Sequence, residues 1–266
     1  MQRIWSKALR VQNKVALITG GSSGIGLATA TLLRVEGAKV SITGRDQLRL
    51  DAAAKELGPD ALAINADVSD FPAMERAIER TVEEFGKLDI VFANAGLSIP
   101  TPLGSSSVEV FQSIVNVNLT STFFLVQACL PYLNDGASLI FNGSVQSLNG
   151  RPGWSAYAAS KAALRTLARV LASELSPRGI RVNVVTPGSV DTPLLDAAIS
   201  SHDEDRDPFI EKLKAAIPLG RMGRPLEVAN AVLFLASEES SFVQASEIVV
   251  DGGATGAFSG APIYRR

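Results

Sequence analysis

The sequence predicts an α/β fold: one doubly wound domain in which a parallel seven-stranded sheet carries helices on both faces. Short runs of β-branched and other apolar residues alternate with helical stretches along most of the 266 residues. The strand-like runs are continuously apolar rather than alternating, which is typical of strands buried on both sides. No long linker, internal repeat or low-complexity segment interrupts the pattern, so a single domain is the economical interpretation.

The elements follow from this pattern in order. Buried strands are predicted at 14–20, 39–44, 61–67, 88–96, 137–144, 180–188 and 246–253. Helices are predicted at 24–38, 46–58, 70–85, across the long stretch 107–133, around Tyr157, and at 225–237. Their regular alternation requires crossover connections, as in a parallel sheet.

Two segments fall outside the regular alternation. Residues 1–13 carry basic side chains and no acid, and we predict a solvated N-terminal arm there rather than a transit peptide. The domain is predicted to occupy residues 14–266. Within it, the irregular stretch at about 189–224 includes the charged run "SHDEDRDP" and is predicted to be a substrate-binding flap, although a solvated loop is the simpler alternative.

Composition excludes several classes of function. With a net charge of −2, the chain has no electrostatic reason to bind nucleic acid or an anionic membrane. No apolar run was expected to reach the roughly 20 residues that span a bilayer. One cysteine, Cys129, allows no internal disulfide, so a reducing cytoplasm is the simplest compartment. His202 is the only histidine and is interpreted as a surface residue, which argues against a histidine-based triad and leaves no metal site predicted.

A glycine turn follows the first strand. In "TGGSSGIG" (19–26), Gly20, Gly24 and Gly26 allow the backbone to turn tightly and to approach a pyrophosphate at a helix N-terminus. A glycine cluster can also be merely a tight turn. Its place after a buried strand at the start of an α/β chain favours binding of a nucleotide.

The end of the second strand bears on which nucleotide is bound. Enzymes that bind NAD usually place an acid there to hold the ribose hydroxyls, whereas this chain has Gly44 and Arg45. A guanidinium can bind a 2′-phosphate, so NADP(H) is favoured and NAD(H) remains possible. The alternative is that Arg45 pairs with Asp46 or with a nearby acid on the helix.

Tyr157 and Lys161 are four residues apart in "WSAYAASK" (154–161) and would share one helix face. An ammonium close to a phenol favours the phenolate, so Lys161 is expected to lower the tyrosine pKa from its usual value near ~10. A pKa closer to neutrality suits a general acid or base. Taken alone, the pair could equally be an ordinary amphipathic helix face.

Five motifs together resemble the short-chain dehydrogenase/reductase family, over about residues 13–253. They are "TGGSSGIG", "ANAG" (93–96), "YAASK" (157–161), "PGSVDT" (187–192) and "VDGG" (250–253). Each is weak alone, but they occur in the family's order and at its spacing. The resemblance implies a Rossmann fold and hydride transfer between a nicotinamide cofactor and a carbonyl or alcohol.

The resemblance also implies roles for individual residues. The catalytic set would be a relay asparagine, a serine that binds the substrate oxygen, the tyrosine acid/base and a lysine that binds ribose: Asn118, Ser144, Tyr157 and Lys161. Together with Tyr157 and Lys161, the cofactor would be bound by Gly20, Ser22, Ser23, Gly24, Ile25, Gly26, Arg45, Asp67, Val68, Asn94, Ala95, Gly96, Pro187, Gly188, Val190 and Thr192. Substrate would contact Ser144, Gln146, Trp154 and Tyr157, in a largely apolar pocket suited to a neutral ketone, aldehyde or secondary alcohol.

Alternatives remain open within this interpretation. Reductases of β-ketoacyl groups on acyl carrier protein, or on coenzyme A, resemble the chain, but their basic docking positions are occupied here by Asn134, Asp135 and Ser173. Arg165 and Arg169 could still serve an acidic partner. A non-catalytic nucleotide-binding regulator, or an epimerase or dehydratase, is also compatible with the fold. Family members commonly form tetramers, so a homotetramer or homodimer is expected. Ala245 stands where the family often has glycine.

Overall fold

The structure is a computed structural model that describes residues 9–200 and 206–257, with the side chains of 197–200 omitted. Outside the described residues lie His202, most of the N-terminal arm and residues 258–266. The prediction that His202 is a surface residue therefore stays a prediction.

The sheet confirms the predicted fold class. Seven strands, all parallel, pair in the order β3-β2-β1-β4-β5-β6-β7. They are β1 (Val15–Thr19), β2 (Lys39–Gly44), β3 (Ala61–Asn65), β4 (Leu88–Ala93), β5 (Leu133–Asn142), β6 (Arg181–Pro187) and β7 (Glu247–Val250). The strand order reverses between β1 and β4, so a crevice opens at the carboxyl ends of these two strands, where doubly wound folds bind their ligands.

Helices cover both faces of the sheet. They are α1 (Gly24–Val35), α2 (Gln47–Leu57), α3 (Phe71–Phe85), α4 (Val108–Val115), α5 (Ser121–Cys129), α6 (Ser155–Leu175), α7 (Pro193–Ser200), α8 (Arg206–Ala215) and α9 (Pro225–Ala236). Helices α3, α5 and α6 bury Met74, Leu125 and Leu164 against one face. Helices α1, α2 and α9 cover the other. Burial of these apolar faces is the main stabilising contribution to the fold.

The predicted long helix at 107–133 is not one regular helix. Ser107 caps α4 by accepting the N–H of Val110, and a π-helical turn, Asn116–Thr120, separates α4 from α5. The chain then enters β5 at Leu133, four residues earlier than predicted. Single π turns insert one extra residue per turn and often occur at functional sites, and this one contains Asn118.

The expectation that no segment reaches the length of a membrane span was wrong as stated. By length and composition, the helical stretch Val108–Tyr132 is long and apolar enough to cross a bilayer. Its apolar residues Leu125, Val126 and Cys129 are buried in the core against the sheet. Packing within the domain therefore accounts for part of the apolar character of this stretch, whereas Phe111 and Phe123 remain 40% exposed.

Candidate active site

The glycine turn is a cradle from which side chains are excluded. Gly20 has φ +62° and Gly24 has φ +54°, a region that L-residues rarely adopt. A Cβ on Gly26 would lie 2.2 Å from the carbonyl oxygen of Gly20. The first turn of α1 therefore approaches the end of β1 more closely than any side chain would permit. This leaves backbone N–H groups at the helix N-terminus facing the crevice, which fits the pyrophosphate of a dinucleotide.

Asn94 supports this cradle from the neighbouring strand. Its side-chain amide donates hydrogen bonds to the carbonyl oxygens of Thr19 (2.9 Å) and Gly20 (3.1 Å). In return, the Thr19 hydroxyl accepts the backbone N–H groups of Asn94 and Ala95. Asn94 thus fixes the glycine turn relative to β4, which gives it a structural function next to the crevice.

The crevice is a cavity of about 450 Å³ that runs along the carboxyl ends of β1, β2 and β4. It brings together many of the residues predicted to bind cofactor, namely Gly20, Ser22, Ser23, Gly24, Ile25, Arg45, Asp67, Val68, Asn94, Ala95, Gly96 and Thr192. The remaining ones lie around it. Gly26 lies under the turn, and Pro187 ends the buried strand β6. Gly188 packs on Asp251, and Val190 is buried beside Gly223.

Two guanidinium groups line the cavity where β2 ends. Arg45 is 74% exposed, and its Nη1 lies 3.8 Å from Asp67 Oδ2, so only a long ion pair holds it. The alternative pairing with Asp46 does not occur, because that carboxylate accepts the N–H of Arg49 and contacts its guanidinium at 3.3 Å. Arg49 was not predicted. Its spacing of four from Arg45, at the start of a predicted helix, was the signal that could have identified it.

The chemistry-bearing residues converge on the N-terminal half of α6. Tyr157 and Lys161 are buried on one face of this helix, and the Lys161 Nζ lies 5.8 Å from the centroid of the tyrosine ring. Ser144, two residues after the end of β5, is 8% exposed and interacts with the Tyr157 phenol closely enough to lower its pKa. The Ser144 hydroxyl oxygen also accepts the backbone N–H of Gln146 at 3.2 Å. The predicted helix face that carries Tyr157 and Lys161 is therefore present, and it lies next to Ser144.

Lys161 reaches the wall of the cavity. Its Nζ donates to the carbonyl oxygen of Asn142 at 2.7 Å, and Asn142 itself lines the cavity. The Asn142 side chain donates to Asn94 Oδ1 at 2.9 Å, which links the lysine to the glycine turn. No signal in the sequence pointed to Asn142, because its bond to the lysine uses a main-chain carbonyl that every residue type has.

The structure reverses the expected direction of the tyrosine shift. Burial raises the pKa of the Tyr157 phenol, and the hydrogen bond from Ser144 lowers it only in part. Burial also lowers the pKa of Lys161 to about 8. Both effects have one cause: a charged form is disfavoured away from water. The phenol is therefore protonated at neutral pH.

The side chain of Asn118 is held by hydrogen bonds to neighbouring residues. Its Oδ1 accepts the N–H of Leu97 at 2.7 Å, and its Nδ2 donates to the Leu97 carbonyl and the Ser160 hydroxyl, each at 3.0 Å. Both amide hydrogens are used, so the side chain positions the chain after Gly96. The predicted relay role would have to use the main-chain carbonyl, which already accepts from Thr122 at 3.0 Å and has a second lone pair.

Of two predicted substrate contacts, Trp154 lies beside the tyrosine and Gln146 beside Ser144. The ring of Trp154 is 3% exposed and meets that of Tyr157 edge to face, with centroids 6.1 Å apart. Gln146 has a buried side-chain oxygen, Oε1, without a hydrogen-bond partner among the described residues. Because buried polar atoms are normally satisfied, this oxygen marks a place where a ligand donor fits.

This arrangement defines a class: a dinucleotide crevice next to a buried serine–tyrosine–lysine group is an oxidoreductase site. Comparisons with known proteins identify the family. The family model described as "Enoyl-(Acyl carrier protein) reductase" matches residues 20–255. The chain belongs to the short-chain dehydrogenase/reductase family; it is an enzyme that acts on CH–OH groups of small molecules with a nicotinamide cofactor.

Individual relatives are similar over nearly their whole lengths. The chain is 43% identical over 246 residues to oxidoreductase asL5 of Sarocladium schorii, covering 92% of this chain and 96% of that one. It is 36% identical over 252 residues to the 3-oxoacyl-[acyl-carrier-protein] reductase FabG of Thermotoga maritima, covering 92% and 99%. Among solved structures, levodione reductase superposes with a TM-score of 0.88 at 34% identity, covering 94% and 100%.

Proposed function

We propose that the protein is an NADP(H)-dependent oxidoreductase that interconverts a neutral ketone or aldehyde and an alcohol, with Tyr157 as general acid/base. The observation that carries this proposal is the buried group of Ser144, Tyr157 and Lys161, in which Lys161 bonds Asn142 in the wall of the cofactor cavity. Because the serine oxygen accepts an N–H from Gln146, its own hydrogen is free to donate. Two hydroxyl donors can then bind one carbonyl oxygen.

Ser144 and Tyr157 have separate roles in the reduction of a carbonyl. Ser144 and Tyr157 bind the carbonyl oxygen and stabilise the negative charge that develops on it. The cofactor, when bound, supplies the hydride to the carbonyl carbon. Tyr157 gives its Oη proton to the oxygen, which leaves the alcohol. The raised pKa keeps this proton on the phenol at neutral pH.

Replacing Tyr157 by Phe tests the assignment. NADPH oxidation, followed by its absorbance against a panel of ketones, aldehydes and alcohols run with both cofactors, should fall by at least 10²-fold in Tyr157→Phe, because the proton donor is lost. NADPH binding, measured by fluorescence, should change little. Tight binding without turnover across the panel in the wild type would instead support a regulator. Product formation without net use of cofactor would support an epimerase or dehydratase.

Preference for NADP(H) is supported by Arg45 and Arg49 at the adenosine end of the cavity. Neither is held by a buried carboxylate, so both can turn toward a 2′-phosphate. In Arg45→Ala the ratio of kcat/KM for NADPH to that for NADH should fall about tenfold, since one charge-assisted contact is lost. An unchanged ratio would refute this part of the proposal.

A β-ketoacyl thioester on acyl carrier protein is the second candidate substrate, supported by the likeness to the Thermotoga maritima reductase. Two observations weigh against it. Arg165, one of the two basic residues left for docking, is held by Glu247 at 2.8 Å. Asp135 occupies another docking position and pairs with Arg178. The panel should therefore include a β-ketoacyl thioester, with the neutral ketones expected to be the better substrates.

We further propose a cytoplasmic homotetramer or homodimer. The only cysteine, Cys129, is buried as a free thiol. Exposed apolar side chains lie on α4, α5 and α6, where Phe111 and Phe123 are each 40% exposed and Val170 is 48% exposed. Clustered exposed apolar surface is typical of subunit contacts. Light scattering coupled to size exclusion would show a mass of two or four times 28.0 kDa, and a monomer would contradict the proposal.

A further inference from the structure

A guanidinium contacts two aromatic rings, one of which packs against Tyr157. The Cζ of Arg151 is 5.3 Å from the centroid of the Trp154 ring and 5.6 Å from that of Phe209. Trp154 belongs to the entrance of the catalytic helix α6, whereas Phe209 belongs to α8 in the predicted flap. Arg151 therefore connects two parts of the protein that are otherwise distant in sequence.

The catalytic side of this stack is fixed. Trp154 pairs with Thr101 in an isolated parallel bridge, and the Thr101 hydroxyl accepts the N–H of Ala156. The Trp154 ring also packs with Ile114 and with the edge of Tyr157. Trp154 consequently has little freedom to move without moving the acid/base.

The flap side has a core of its own. Phe209 and Ile210 are buried, and they pack with Leu195, Leu213 and Met222, all from the 189–224 segment. A small unit of this kind can shift as a body without opening the main core. The stack on Arg151 is a contact between this unit and the fixed Trp154.

We propose that Arg151 is a positioning residue that fastens the flap to the catalytic helix and thereby limits the size of substrate that the pocket accepts. The inference rests on the proposed function for its substrate, but the contact itself can be tested without one. One cation–π contact changes the ratio of the closed to the open state of the flap by about 2- to 30-fold. That range lets the flap close over a bound carbonyl and still open for exchange.

The first measurement is amide hydrogen exchange of α8 in the enzyme without substrate. Arg151→Met should speed exchange across Arg206–Ala215 by roughly 5- to 30-fold, because both stacking contacts are lost. Arg151→Lys keeps the charge without the planar stack and should give a smaller increase. Phe209→Leu should speed exchange about as much as Arg151→Met does. The variant that carries both substitutions should exchange no faster than either single variant. Lys212→Met removes an exposed charge from the same helix and is the matched control.

The second measurement is steady-state kinetics on the ketone panel. Arg151→Met and Phe209→Leu should raise KM several-fold, leave kcat within about twofold, and improve turnover of bulkier ketones relative to small ones. Exchange in α8 that is unchanged in Arg151→Met, or equally raised in Lys212→Met, would overturn the proposal. If no carbonyl is turned over, the exchange result still decides whether Arg151 fastens the flap, so failure of the proposed function remains distinguishable.

Discussion

Lys161 should destabilise the protein at neutral pH, because its ammonium is buried. The pKa of Lys161 is about 8 in the folded chain, compared with 10.5 for a free lysine. That difference corresponds to about 3 kcal/mol against folding when the side chain is charged in both states. The pKa already includes the effect of the hydrogen bond to the Asn142 carbonyl on the ammonium. Lys161→Met should therefore be more stable than wild type at pH 7, by up to about 3 kcal/mol.

The sign of the pH dependence follows from proton counting. Between pH 8 and 10.5 the unfolded chain keeps the Lys161 proton while the folded chain has released it. Stability of the wild type therefore rises with pH in this window, relative to a chain without the lysine. From pH 7 to 9.5 the difference between wild type and Lys161→Met should move by about 2 kcal/mol in favour of wild type.

Urea denaturation of the cofactor-free proteins at several pH values between 7 and 9.5 measures this difference. The range stops short of the tyrosine titration, because burial raises the pKa of Tyr157 above 10.0. The exposed-charge variant Lys212→Met is the control and should leave the pH dependence of wild type in place. A difference between wild type and Lys161→Met that stays flat with pH, or moves toward the variant, would refute the argument that Lys161 is charged and desolvated in the fold.

Two further predictions concern backbone conformation. Ala245 has φ +55°, a left-handed conformation that costs a side-chain-bearing residue about 1–2 kcal/mol, so Ala245→Gly should raise stability by about 0.5–1 kcal/mol. Thermal unfolding measures this, and Ala52→Gly, at an exposed position within α2, should lower stability instead. Gly26→Ala would place a Cβ 2.2 Å from the Gly20 carbonyl, so NADPH affinity should fall more than tenfold, and an unchanged Kd by fluorescence titration would contradict the cradle geometry.

The sequence predicted the fold because its signals are local. Continuous apolar strands such as Val15–Thr19, fully buried along their length, indicate a two-sided parallel sheet whatever their neighbours are. The glycine turn was predictable for the same reason, since Gly20 and Gly26 are required by backbone geometry alone. The spacing of Tyr157 and Lys161 placed them correctly on one helix face.

Features that depend on contacts across the fold were not predictable in this way. The π turn around Asn118 is set by its three hydrogen bonds to Leu97 and Ser160, which are distant in sequence. Two helices, α7 and α8, were missed in the flap. Their buried residues Phe209 and Ile210 pack within the flap rather than against the main core, so they add no strand-and-helix alternation to the sequence. Asn142 was missed because its main-chain oxygen carries the contact to Lys161.

The direction of the tyrosine shift shows why spacing does not determine chemistry. Four residues along a helix bring Lys161 near Tyr157, but the effect of an ammonium depends on whether water is also present. Here both groups are buried, so desolvation disfavours the phenolate and the ammonium together, and the phenol keeps its proton. Spacing therefore identified the pair, whereas burial, which spacing does not report, determined the direction of the shift in the tyrosine pKa.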